Sequence, residues 1–145
     1  MESLIALIIL VATEAGIPPN FALAVAICEG NDLNHLAVSK RNRDGSVDRG
    51  IFQLNSYVYP NVNWSDPETN IRLGIYHLRR LIEMDCHITY WDVAVSYNAG
   101  HLYMLNKTSP PQSSVDYANR VMQAYTDLSN GYVNPVIKFY RGRYR

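Results

Sequence analysis

Apolar residues cluster in blocks whose spacing predicts helices, separated by one long polar stretch. Leu4 to Ala15 reads as a first helix, stopped by Gly16 and the pair Pro18-Pro19. Its most apolar part, Leu4 to Ala12, has nine residues. That is about half of the ~20 a membrane-spanning helix needs, so a buried helix is expected and no membrane span. A second helix opens at Pro19 or Asn20 and runs to about Glu29. Its segment Phe21 to Cys28 is apolar on every face, which marks a helix enclosed by others. Gly30 follows where a left-handed residue ends a helix at least cost.

Residues 31–63 are polar and turn-rich. Asp44-Gly45 lies between short extended stretches there, a strong hairpin signal. Ser65 or Asp66 is suited to cap the next helix, with Pro67 in its first turn and Ile71, Ile75, Leu78 and Ile82 as its buried stripe. Trp91 to Ala99 predicts a short apolar helix ending at Gly100. Ser113 or Ser114 is expected to cap a last helix, with Val121, Tyr125 and Leu128 on one face and Gly131 closing it. The predicted class is mainly α, an α+β arrangement in which a helical domain carries one small β-hairpin.

Length and composition narrow this only slightly. With 145 residues the chain suits one domain that buries a core without disulfides. Composition divides it into a domain over 1–130 and a basic, aromatic tail over 131–145, where Lys138, Arg141, Arg143 and Arg145 occur without an acid. Thirteen basic and thirteen acidic residues give a net charge of zero, which argues against a nucleic-acid binder. Eleven tyrosines suit a carbohydrate groove, a core or an interface alike. Cys28 and Cys86 either pair or stay free and buried, and free is the expected state. A zinc site from Cys28, Cys86, His77 and His87 is not expected, because no paired ligand spacing recurs. No cofactor is expected. The first residues, with Glu2 and no clear cleavage site, do not read as a signal peptide.

Glu29 is the residue with chemical promise. It ends an apolar helix, so its carboxyl is expected at the edge of the core. Desolvation and the negative end of the helix both favour the protonated form there. A carboxyl held neutral near working pH is what a general acid requires.

After it comes Asp44-Gly45-Ser46-Val47-Asp48-Arg49-Gly50-Ile51-Phe52-Gln53-Leu54-Asn55-Ser56. This segment resembles both animal-type lysozymes and lytic transglycosylases of the soluble type. Ala37-Val38-Ser39, Val95-Ser96-Tyr97-Asn98-Ala99-Gly100 and Tyr117-Ala118-Asn119-Arg120-Val121 resemble the transglycosylases specifically. Asp66-Pro67 to Leu78, with Asn70 and Gly74, is similar to the helix between these motifs. The likeness spans roughly residues 4–128. Two departures stand out: Glu29-Gly30 where Glu-Ser is usual, and Ile51-Phe52-Gln53 where Leu-Met-Gln is usual.

The resemblance implies a lysozyme-like fold whose hairpin lies beside a catalytic cleft, and a monomer acting on peptidoglycan glycan strands. It implies Glu29 as the sole acid and then base, cleaving the MurNAc–GlcNAc bond with a 1,6-anhydro product. Ser39 would bond near Glu29 or the departing sugar. Gln53 and Asn98 would hold N-acetyl groups or order the cleft, and Tyr97 and Tyr117 would flank Glu29. A hydrolytic lysozyme would use Asp48 as a second carboxylate. A third reading is a non-catalytic glycan-binding part of a secretion system or phage particle. Action in the periplasm or cell envelope follows from the substrate, and the missing export features suit a phage-delivered enzyme.

Overall fold

The computed structural model describes residues 2–129, and the tail predicted over 131–145, like Gly131, lies outside them. The first helix, α1 (Glu2–Ala15), precedes α2 (Pro19–Cys28), which is the central one. Phe21 to Ala26 are all buried, as an all-apolar helix requires. Helix α1 packs on α2 and on α3 (Pro67–Glu83), while α6 (Gln112–Leu128) packs on α2 and on α4 (Tyr90–Ala99). Only one face of α1 is covered. Ile8, Val11 and Ala12 are buried but Ile9 and Leu10 are exposed, so the expected buried helix is buried on one side.

The Ile71, Ile75, Leu78 and Ile82 stripe of α3 faces the core. Asp66 is its cap, accepting from the Thr69 N–H at 2.9 Å. Helix α4 starts one residue before the expected point because Thr89 and Asp92 form a reciprocal capping box. A short helix, α5 (Leu102–Leu105), follows Gly100 and has no sequence signal. Helix α6 begins at Gln112 with Pro111 preceding it, and neither Ser113 nor Ser114 is its cap. Proline presets the backbone for helix entry and lacks the N–H that would otherwise need a partner. Phe21, Tyr90 and Tyr125 form the aromatic centre where α2, α4 and α6 meet, with ring centroids 4.7 to 5.9 Å apart.

The hairpin forms one turn later than its Asp-Gly signal suggests. Strands β1 (Asp48–Arg49) and β2 (Leu54–Asn55) pair antiparallel across the turn Gly50 to Gln53. Gly50 (φ +79°) and Gln53 (φ +51°) supply its left-handed residues. A turn also forms at Asp44-Gly45, closed by the Asn42 N–H on the Ser46 carbonyl at 2.8 Å. Asp44 spends its Oδ1 on the Ser46 N–H and hydroxyl, so this turn is a side-chain-stapled loop. Its flanks pair at one bridge, Val38 to Arg49, closed by the Ser39 N–H on the Asp48 carbonyl at 2.9 Å and the Gly50 N–H on the Ala37 carbonyl at 2.8 Å.

Candidate functional site

Glu29 sits at the C-terminus of α2, with Gly30 next at φ +76°. Its carboxyl opens on a cleft of about 460 Å³, walled by the hairpin residues, α3 and the end of α4. Asp48, Gln53, Tyr97 and Asn98 also line this space. Tyr117, buried on α6, donates its hydroxyl to Glu29 Oε1 at 2.8 Å. Among the described residues Oε2 has no hydrogen-bond partner and is not enclosed, so it is the oxygen free to hold and deliver a proton.

The surroundings push the Glu29 pKa up to about 7. Burial is the main cause. The Tyr117 hydrogen bond opposes it, the Asp48 charge adds to it, and Arg120 opposes it more weakly. The desolvation expected from the sequence therefore dominates, and Tyr117, Asp48 and Arg120 refine the result through space. A carboxyl titrating near 7 exists in both forms at neutral pH, which suits a group that must first give and then take a proton.

Residues 6–119 match the Transglycosylase SLT domain family. The chain belongs to this family. No curated protein and no solved structure matches it. The SLT domain carries a lytic-transglycosylase type of function directed at peptidoglycan and belongs to the lysozyme-like superfamily. Its mainly helical architecture with one small antiparallel sheet agrees with that fold. Among the described residues no helix is long and apolar enough to cross a membrane.

Within this SLT domain the other residues singled out by sequence occupy distinct places. Asp48 accepts from the Asn55 amide at 3.1 Å and from the Asn42 amide at 3.2 Å, one on each carboxylate oxygen. Gln53 folds back so that its amide donates to the Gly50 carbonyl at 2.9 Å. Tyr97 donates its hydroxyl to the Phe52 carbonyl, tying α4 to the hairpin turn. Asn98 accepts from the Ser114 hydroxyl at 2.6 Å, tying α4 to α6. Ser39 does not line the cleft. Its hydroxyl accepts from the Asp48 N–H at 2.9 Å and donates to the Lys40 carbonyl, so it fastens the strand beneath Asp48.

Sequence reasoning passed over Asn42 and Tyr59, and considered His77 only in a zinc site that is not expected, yet all three line the cleft. No motif marked them. It named Asn70 only as part of a similar helix, yet Asn70 is fully buried and holds the hairpin turn. Its Oδ1 accepts from the Phe52 N–H at 2.8 Å, and its amide donates to the Arg49 and Trp64 carbonyls, both at 3.0 Å. Cys28 and Cys86 are unpaired and half-buried. Among the described residues no three His, Cys, Asp or Glu side chains converge to hold a metal.

The Tyr117 bond gives a direct test of the electrostatics. Tyr117→Phe removes a hydrogen bond that favours the Glu29 carboxylate, so the Glu29 pKa should rise further. The alkaline limb of the kcat/KM–pH profile is then expected to move up by about 0.5–1 unit. An unmoved limb in a folded variant would show that Tyr117 does not tune Glu29.

Proposed function

We propose that this protein is a lytic transglycosylase that cleaves the β-1,4 bond between MurNAc and GlcNAc, with Glu29 as its only catalytic carboxyl. Glu29 protonates the glycosidic oxygen from Oε2 as the bond to the MurNAc C1 breaks. The 2-acetamido group stabilises the oxocarbenium-like centre. Glu29, now a carboxylate, takes the proton of the MurNAc 6-hydroxyl while that oxygen bonds to C1. The product is a 1,6-anhydro ring, and water is not consumed. The enzyme works on glycan strands in the bacterial envelope as a monomer.

The observation that carries this reading is Glu29, titrating at about 7 in the cleft of a chain that matches the SLT domain over residues 6–119. A hydrolase would use the second carboxylate as nucleophile or base. In this chain the two amide donors tie Asp48 to Asn42 and Asn55, which suits a carboxylate that organises the hairpin. Its charge still acts on Glu29, raising that pKa.

Comparison of two variants tests this. Asp48→Asn disturbs the ties to Asn42 and Asn55 and is expected to lower turnover of purified cell wall by about tenfold. Glu29→Gln should lower it by far more. A folded Asp48→Asn protein as inactive as Glu29→Gln would mean that Asp48 is a catalytic carboxylate.

A further inference from the structure

The cleft contains a histidine that the transglycosylase reading does not use. His77 lies on α3, half-buried, with its ring edge-on to Tyr97 at 5.5 Å and to Tyr59 at 6.2 Å between centroids. Its Nδ1 is 3.2 Å from the Tyr59 hydroxyl. Nε2 has no partner among the described residues and is open to solvent, and His77 lines the cleft.

His87 offers an internal comparison. That histidine is fully buried, with Nδ1 against the Leu81 carbonyl at 2.5 Å and Nε2 against the Ser96 hydroxyl at 2.7 Å. A histidine kept for structure has both nitrogens satisfied inside the protein. His77 has one satisfied and one turned to where a ligand would lie.

The proton on His77 can be assigned from its partner. Burial, together with Arg80 and His101, holds the His77 pKa below its usual value, so near neutral pH the ring has one donor and one acceptor. The Tyr59 hydroxyl has no other partner among the described residues, and donating to Nδ1 is the arrangement that places its proton. The ring hydrogen then sits on Nε2. Tyr59 is itself fixed, its N–H on the Asn55 carbonyl at 2.9 Å and its carbonyl accepting from Arg49 at 3.0 Å. The donor is therefore aimed before any ligand arrives.

We infer that His77 is a substrate-binding residue of this cleft, presenting its Nε2–H to an acceptor oxygen of a bound sugar, an N-acetyl carbonyl or a hydroxyl. The inference rests on the glycan reading above and adds a contact to it. One neutral donor to a sugar oxygen should contribute binding that is the same in ground and transition states, so it shows in KM and leaves kcat nearly alone.

The probe is a GlcNAc–MurNAc tetrasaccharide, titrated into Glu29→Gln protein so that it is not cut. Adding His77→Leu is expected to weaken binding about tenfold, and His77→Gln, whose amide N–H reaches close to the Nε2 position, should restore most of it. In the active enzyme His77→Leu should raise KM about tenfold with kcat within about threefold. If the leucine variant is unfolded, nitrogen NMR of the Glu29→Gln protein decides. The His77 Nε2 signal should move on adding the tetrasaccharide while the His87 signals stay. Unchanged affinity in a folded His77→Leu protein, or an unmoved His77 signal in a protein that binds, overturns the His77 inference and leaves the proposed function standing. Failure of the Glu29→Gln protein to bind the tetrasaccharide, with wild-type protein inert on cell wall, overturns both.

Discussion

Glu29→Gln is expected to lower cleavage of purified cell wall by about a thousandfold or more, with glycan binding retained. The amide keeps the shape and can still accept from Tyr117, but it neither gives nor takes the proton. The same substitution should stabilise the protein at alkaline pH. In the native state the Glu29 pKa is raised from 4.5 to about 7, so folding favours the protonated form. Stability linked to that proton is fully present below about pH 4.5 and is lost as pH rises through about 7. A shift of this size corresponds to at most about 3 kcal/mol, and the opening of Glu29 on the cleft reduces it to about 1–2 kcal/mol. Thermal unfolding at pH 8 and pH 4.5 reads this directly. Glu29→Gln should melt higher than wild type at pH 8, and the advantage should vanish at pH 4.5. Wild-type turnover by a folded variant would remove Glu29 from the mechanism.

Gly50→Ala should lower stability by about 4 kcal/mol or more, or Tm by about 10–20 °C. Two costs coincide there. The backbone is at φ +79°, and a Cβ would lie 2.1 Å from Asn70 Nδ2 and 2.9 Å from the Trp64 carbonyl oxygen. Asn70 cannot yield without breaking its bonds to Phe52, Arg49 and Trp64, which leaves buried polar groups unpaired. Gly100→Ala separates the two costs. Gly100 is also at positive φ (+86°, ψ 159°) but has nothing within 4 Å of its Cβ position, so a smaller loss of about 1–3 kcal/mol is expected. Equal melting points for the two variants would contradict the part assigned to Asn70.

The helices were legible because their signals are local. The apolar run of α2, the Asp66-Pro67 start of α3 and the glycine after α4 each declare themselves within a few residues. Glu29 was legible for the same reason, since an acid ending an all-apolar helix is bound to meet the edge of a core. The hairpin was harder. Asp44-Gly45 does make a turn, but the pairing that follows depends on Asn70, far along the chain, clamping Arg49 and Phe52. Long-range partners of this kind leave no periodic trace in sequence. Ser39 illustrates the same limit, because only the fold reveals that its hydroxyl is engaged by the Asp48 backbone. In the sequence His77 offers itself only as a member of a zinc site that is not expected, and its distinction lies in a neighbour eighteen residues away, Tyr59, that occupies just one of its nitrogens.

The central claim is that one carboxyl, Glu29, acts as acid and then base with a sugar hydroxyl as acceptor, and the product's mass tests it most directly. Purified cell wall digested by wild-type protein, with muropeptides weighed without prior reduction, distinguishes the two acceptors. Transfer to the 6-hydroxyl gives glycan ends in 1,6-anhydroMurNAc, lighter by one water than hydrolysis products, and those ends are expected to predominate. Reducing MurNAc ends as the main product would contradict the account and make water the acceptor, with Asp48 the carboxylate to examine next.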